Sequence, residues 1–324
     1  MKAILCTRLG GPDDLVLADL PVPAAGPGEA LVDIKAVGLN FYDTLIIAGK
    51  YQTKPQLPFS PGGEFAGVVE RVGAGVADFA PGDRVLGYTS FGAARQYAAV
   101  PVTKLARLPA DLDFDRAAGL TITYGTSYHA LKDRAGLAPG ETLAVLGASG
   151  GVGLAAIELG KQMGARVIAC ASSDDKLAFA RAHGADAVVN YAGEDLKDAL
   201  VRLGGQRGID VIYDPVGGPY CEAAVRAIAW QGRFLVVGFA SGEIPRLPLN
   251  LTLLKGCDIL GVNWGAFVRQ DPQAHRAGLD QLAGWCAEGK LSGHIHAVYP
   301  LAEIAQALKA IIERKAMGKV ILRP

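Results

Sequence analysis

LAVLGASGGVGLAAIELGKQMG, residues 143–164, runs from a short apolar stretch through a glycine-rich turn, Gly147 to Gly153, into a helical pattern. A glycine fingerprint alone is a weak signal, but one that follows a strand, opens a helix and begins a series of βαβ units marks a dinucleotide site. Glycines let the backbone approach a diphosphate, and the helix start supplies free N–H groups and partial positive charge. The competing reading is a tight glycine turn with no ligand.

Downstream of the turn, β-rich runs alternate with helical segments. After the first run (143–148) come RVIACA (166–171), DAVVNY (186–191), DVIYDPV (210–216), RFLVVGF (233–239) and DILGVNW (258–264). Six strands separated by helices such as DKLAFARAHG, EDLKDALVRLGG and YCEAAVRAIAW predict a doubly wound parallel sheet of the Rossmann type. Upstream, short strands such as EALVDIKAVGL and EFAGVVERVG are punctuated by GPDD, SPGGEF and APGDRV, which predicts an antiparallel, partly barrel-like β domain. A helix over 301–318 and a closing strand, KVILRP, follow the nucleotide-binding block and are expected to fold back onto the first domain. The expected division is 1–121 completed by 267–324, and 122–266.

Lys plus Arg equal Asp plus Glu at 32 each, so no global field draws in nucleic acid, an anionic membrane or an acidic substrate. The five cysteines, Cys6, Cys170, Cys221, Cys257 and Cys286, form no CxxC pair and suit a reducing compartment. The N-terminal apolar stretch is too short for a signal peptide and no run is long enough for a membrane span, so a cytoplasmic protein is expected.

The choice between NAD and NADP turns on the end of the second strand of the block, where an acid would bind the ribose 2′-hydroxyl and repel a 2′-phosphate. RVIACA runs instead into Ser172 and Ser173. Asp174 and Asp175 lie near the spacing of that acid, yet they also fit the first turn of the next helix, where carboxylates suit the dipole. Lys176 stands in that turn against the dipole preference, which either a nearby 2′-phosphate or simple solvation accounts for. Tyr191 ends the third strand and could close the same pocket. The balance favours NADPH.

With these residues on the page, the chain resembles the zinc-lacking quinone oxidoreductases, the zeta-crystallin-like family of the medium-chain dehydrogenase/reductase superfamily. The similarity runs through GLNFYDTLIIAGKY (38–51), PGGEFAGVVERVGAGV (61–76), GTSYHAL (125–131), the glycine turn, DPVGG (214–218) and GFASG (238–242). It implies a GroES-like first domain beside the Rossmann domain. It further implies that Ser172, Lys176 and Tyr191 hold the 2′-phosphate and that Ser149, Gly150, Gly151 and Val152 hold the diphosphate. Thr126, Gly238 and Phe239 would lie along the cofactor, as would Val262, Asn263 and Trp264, with Asn40 near the nicotinamide and Gly318 and Lys319 as a further cofactor-side contact. Family members are usually homodimers joined through their nucleotide-binding domains.

In the alcohol dehydrogenase branch a catalytic zinc is held by an early Cys and by the His of a GHE motif. Asn40 and Gly63 stand at the matching positions here, and no Cys occurs between Cys6 and Cys170, so neither zinc site of that branch can form. Glu64 is expected to remain as a structural carboxylate. His294 and His296 alternate in HIHAV as a possible metal pair, but two His without further ligands usually face solvent. Without a Lewis acid the readily reduced acceptors remain, namely quinones and alkenes conjugated to a carbonyl, for which alignment and tolerance of developing oxygen charge suffice.

Tyr42 and Tyr51 each offer a flat face and an O–H donor; Tyr51 is the preferred residue for orienting the acceptor, with a half-buried packing tyrosine as the alternative. Asp43 either hydrogen-bonds within the site or braces its loop, and Leu45 stands where some relatives carry another tyrosine. No GxSxG elbow is present, and His129 sits in a helical stretch where packing is the default. Two rival functions remain open: reduction of a 2-alkenal, enone or acryloyl or enoyl thioester, and a non-catalytic NADPH-binding or moonlighting structural protein. The neutral charge balance weighs against RNA binding.

Overall fold

Short apolar runs bracketed by glycine and proline become the strands of the first part of the chain. Lys2–Cys6 (β1) and Leu15–Asp19 (β2) pair as a two-stranded antiparallel ribbon. A larger sheet grows from Glu29–Leu39 (β3), Glu64–Val72 (β4), Arg84–Tyr88 (β5), Tyr97–Pro101 (β6) and Leu105–Arg107 (β7). The long strand β3 is its hub, pairing antiparallel with both β4 and β6; two register shifts against β4 bend it, as bulges do. Three short helices accompany these strands: Phe41–Ile47 (α1), Phe114–Ala118 (α2) and Thr123–Tyr128 (α3). The structure, a computed structural model, describes residues 1–324.

The next block is the doubly wound sheet. Its strands are Thr142–Leu146 (β8), Arg166–Ala171 (β9), Ala187–Asn190 (β10), Ile209–Asp214 (β11), Ile228–Val236 (β12) and Asp258–Gly261 (β13), all parallel, in the spatial order β10-β9-β8-β11-β12-β13. That order reverses beside β8, the arrangement of two mononucleotide-binding halves. Every residue of β8 and β11 is buried, as expected of central parallel strands covered on both faces. The intervening helices are Gly151–Gln162 (α4), Asp174–Ala182 (α5), Leu196–Gly204 (α6), Tyr220–Ala227 (α7) and Asn250–Lys255 (α8). Leu146, Ile168, Ile212, Val225 and Phe234 form part of the core.

After Trp264–Gln270 (α9) and Pro272–Ala287 (α10), the chain adds Ile295–Pro300 (β14), Ile304–Ile312 (α11) and Lys319–Arg323 (β15). Strand β15 pairs antiparallel with β3 and so completes the first sheet. The chain therefore divides into two units, residues 1–125 with 267–324, and residues 126–266. The first boundary falls inside α3, a few residues past the expected one.

Two expected elements differ in extent. The helix read over YCEAAVRAIAW stops at Ala227, because Ile228 turns to an extended backbone and pairs with Ile209, so β12 begins well before Arg233. The tail helix read over 301–318 is reduced to α11, ended by Arg314 at a φ of 56°.

Candidate active site

In the second unit, the carboxyl ends of the parallel strands carry most of the expected cofactor residues. The glycine turn leaves β8, Ser172 follows β9, Tyr191 follows β10, Gly238 and Phe239 follow β12, and Val262 to Trp264 follow β13. Ligands of open α/β sheets bind at this edge, beside the point where the strand order reverses.

The three glycines of the turn have different reasons to be there. Gly147 has a φ of 59°, and a Cβ on it would press on Val216. A Cβ on Gly153 would overlap the Gly147 carbonyl, so the close fold of turn against helix excludes any side chain. Gly150, the N-cap of α4, is in an ordinary extended conformation, and the nearest protein atom to its missing Cβ is 3.5 Å away. Nothing in the protein requires glycine there, whereas a phosphate approaching the backbone does. The first turn of α4 has no acidic residue and no side-chain cap, so its N–H groups and positive dipole end are left for a ligand. Ser149, Gly151 and Val152 flank this bare backbone, which fits a dinucleotide diphosphate.

At the end of β9, Ser172 is exposed and its Oγ lies 3.5 Å from Lys176 Nζ. Asp174 is the first residue of α5, and its carboxylate accepts a hydrogen bond from Asn190 Nδ2 at 2.8 Å. It is thereby drawn toward β10 as a local brace. Tyr191 packs on Tyr220 with ring centroids 4.3 Å apart.

Further along the same edge, the DPVGG segment is an Asx turn: Asp214 Oδ1 accepts from the backbone N–H groups of Val216 and Gly217 at 2.8 and 2.9 Å. Gly238 N donates to the Asp214 carbonyl, the Phe239 ring leans against Gly217, and Asn263 Oδ1 accepts from Ala266 N in the first turn of α9. Thr126 is half-buried in α3.

The first unit holds a second cluster, drawn from three separate elements. Asn40 is the N-cap of α1, and Asp43 reaches back to accept its backbone N–H at 2.8 Å and that of Gly62 at 3.1 Å. Glu64, the first residue of β4, and Lys319, the first of β15, form a buried ion pair at 0 % and 4 % exposure. Lys319 Nζ also donates to Asn40 Oδ1 at 2.6 Å, and Asn40 Nδ2 donates to Glu64 Oε1 at 2.8 Å. The second Glu64 oxygen accepts from Ile122 N at 2.7 Å, so the carboxylate is fully bonded. Burial pushes the Asp43 carboxyl up to about 7, against the pull of its two backbone donors and of Lys319.

Aromatic residues line the cluster. Tyr42 and Tyr51 stand with centroids 5.4 Å apart, and the Tyr42 hydroxyl donates to the Ser90 carbonyl at 3.2 Å. Burial raises the Tyr42 and Tyr51 hydroxyls above their ordinary values, so both remain neutral donors. A Cβ on Gly63 would overlap the Tyr42 hydroxyl, so this tyrosine fills the place where a side chain at position 63 would begin. Leu45 is half-buried nearby in α1.

The structure brings Asn40, Asp43 and Lys319 together and sets Tyr51 against Tyr42. It gives His129 a local partner, Asp133, four residues along, with Nδ1 to carboxylate 2.8 Å. His294 and His296 gain no third metal-type neighbour, since no three His, Cys, Asp or Glu side chains converge as a metal would need. Sequence reading missed the Glu64–Lys319 pair, Tyr88 and Ser90. Tyr88 sits opposite Glu64 in the β4–β5 register, a placement that alternation along RVLGY could have suggested had the pairing been known.

Comparison with known proteins agrees with this fold. The alcohol dehydrogenase GroES-like domain model matches residues 26–110, and the zinc-binding dehydrogenase model matches residues 151–281. A quinone oxidoreductase-like protein 2 homolog of Nematostella vectensis is 40% identical over 99% of this chain and 88% of its own length. The quinone oxidoreductase of Homo sapiens is 33% identical over 99% of this chain and 97% of its own. Among solved structures, the Escherichia coli quinone oxidoreductase complexed with NADPH superposes with a TM-score of 0.92 at 29% identity, covering 100% of both chains.

Proposed function

Because the chain belongs to the medium-chain dehydrogenase/reductase superfamily, among its quinone oxidoreductase-like members, we propose that it carries hydride from NADPH to a quinone with no metal ion in the step. The observation that carries the cofactor reading is Gly150: bare backbone at an uncapped helix start, kept free of a side chain that the protein itself would accommodate. NADPH rather than NADH is supported by Ser172 and Lys176 at the end of β9 and by the bond that holds Asp174 to Asn190. NADPH in the E. coli neighbour is in keeping with that choice.

The bound nucleotide would supply the hydride. The protein's part is to hold the nucleotide by its diphosphate, to offer Tyr51 as a flat wall with a neutral O–H for the acceptor, and to leave the acceptor oxygen its proton from solvent or from that hydroxyl. Asp43 fixes the backbone of Asn40 and so braces this wall. Metal-free chemistry is supported by Asn40 and Gly63 at the two ligand positions of the zinc branch, and by the Tyr42 hydroxyl that fills the space beside Gly63.

The same reading includes a homodimer. Strand β13 is an edge of the parallel sheet; its neighbour β12 carries Trp230, and the segment between the two strands carries Ile244, Leu249 and Leu253, exposed at 69, 72, 77 and 80 %. An exposed edge strand with an apolar border suits a self-complementary partner surface. The five cysteines are buried and none forms a disulfide, which is consistent with a reducing, cytoplasmic setting, and no helix is long and apolar enough to cross a membrane.

The test is steady-state oxidation of NADPH and NADH with a panel of quinones, 2-alkenals and acryloyl thioesters, with products identified. Preferred turnover of NADPH with quinones is expected. Faster reduction of the activated alkenes would move the acceptor to that class, and cofactor binding without turnover on any acceptor would leave a non-catalytic binder. Sedimentation should give twice the chain mass, reduced to one chain by Leu253→Asp.

A further inference from the structure

We propose that Lys319 is a positioning residue: held between Glu64 and Asn40, it fixes the Asn40 amide so that one Nδ2–H is kept as a donor for a carbonyl oxygen. The inference rests on the cofactor reading above. Its basis is chemical asymmetry. An ammonium only donates and a carboxylate only accepts, so Asn40 must turn Oδ1 to Lys319 and Nδ2 to Glu64, at the observed 2.6 and 2.8 Å. The flipped amide would set NH₂ against an ammonium and C=O against a carboxylate, two repulsive contacts in a buried site. The amide orientation, ordinarily ambiguous, is here dictated by charge.

An NH₂ group has two hydrogens, and Glu64 takes one. The other has no partner within the cluster. Asn40 is also the one partly exposed member, whereas Asp43, Glu64 and Lys319 are all buried, so it is through Asn40 that the cluster can meet a ligand. Asp43 ties down the backbone N–H of the same residue, which holds Asn40 at both ends.

The clamp is also built into the surrounding backbone. A Cβ on Gly38 would overlap the Ala118 carbonyl and also press on Glu64 Cγ and Oε1, each at 2.8 Å, and a Cβ on Gly119 would press on Lys319 Cγ at 2.8 Å. Two glycines on separate segments thus clear the space in which the pair lies. A pair serving stability alone has no need of a third, partly exposed partner, since apolar replacements of buried ion pairs are often as stable.

The recognised group is a carbonyl oxygen, which either the nicotinamide carboxamide or the acceptor could supply. The experiment is a double-mutant cycle between Asn40→Ala and the charge-free pair Lys319→Met with Glu64→Gln, in the full-length protein. NADPH affinity is read by nucleotide fluorescence, affinity for 2′,5′-ADP, which lacks the nicotinamide, by competition, and quinone kcat and KM separately. If Lys319 acts through Asn40, Asn40→Ala costs about five- to tenfold in the native background and less than about twofold in the charge-free one.

That loss falls on NADPH affinity if the carboxamide is the partner, and on quinone kcat or KM if the acceptor is. Binding of 2′,5′-ADP is unchanged in either case. Equal losses in both backgrounds, or no loss in any readout, overturn the inference. Should the charge-free pair not fold, the native protein answers alone: one Asn40 side-chain amide proton resonance should move on adding NADPH or quinone while its Glu64-bound partner stays put, and no movement with either overturns it. A native protein that binds no NADPH defeats the cofactor reading itself, a result distinct from all of these.

Discussion

The cradle at the carboxyl edge of the parallel sheet and the ion cluster of the first unit are built on opposite plans. The cradle presents bare backbone and unsatisfied N–H groups, with Lys176 resting 3.5 Å from a serine hydroxyl. In the cluster, Lys319 is buried and bonded to two partners. One region keeps its polar groups open for a ligand; the other satisfies them internally and leaves a single donor over. A cation of the same type is therefore expected to matter for binding in one place and for folding in the other.

The largest effect should come from breaking the cluster on one side. Lys319→Met leaves Glu64 as a buried, unpaired carboxylate and is expected to lower unfolding free energy by about 3–5 kcal/mol in urea titrations. Lys176→Ala should stay within about 0.5 kcal/mol of the native protein. Comparable losses at the two lysines would erase the contrast.

Next come the glycines of the cradle, where the contrast recurs within one turn. Gly153→Ala drives a methyl group into the Gly147 carbonyl and should cost about 1–3 kcal/mol of stability. Gly150→Ala meets nothing closer than 3.5 Å and should leave the melting temperature nearly unchanged while weakening nucleotide binding by about tenfold or more. A stable Gly150→Ala protein with native affinity would show that the bare backbone faces solvent only.

Lys176→Ala, tested for binding, should weaken NADPH by about tenfold and NADH by less than about twofold, since only the former carries the 2′-phosphate. Equal weakening of both would remove Lys176 from phosphate recognition.

The remaining effect is a pH dependence. Burial raises the Asp43 carboxyl from 3.8 to about 7, so between those values the folded chain holds a proton that the unfolded chain has released. The stabilisation is present in full below pH 3.8 and is lost as pH rises through 7. The stability of the native protein relative to Asp43→Asn should therefore fall from pH 5 to 7, by at most about 1.4 kcal/mol per unit, and level off above pH 8. A difference independent of pH would mean that Asp43 is already ionised.

The same contrast explains what sequence could reveal. The cradle is legible because its parts are contiguous: strand, glycine turn and helix occupy one stretch, and most of the later residues expected to meet a cofactor follow an apolar run that reads as a strand. The cluster is assembled from residues as far apart as Asn40 and Lys319, separated by 279 positions, so no local pattern predicts that they meet. Glu64 was expected as a structural carboxylate, but its partner becomes visible only when β15 is seen beside β3, and β3 beside β4. The short α7 was misread for the complementary reason: AVRAIAW has helical spacing, and the pairing of Ile228 with Ile209 overrides it.

The Tyr42 hydroxyl lying over Gly63 also bears on how such a chain can change. A histidine introduced at position 63 meets that hydroxyl before it can reach an ion, whereas trimming Tyr42 first opens a hole with no ligand in it. Neither substitution alone puts a ligand there, so a side chain gained at position 63 requires a compensating change at Tyr42, and the two positions are expected to vary as a pair.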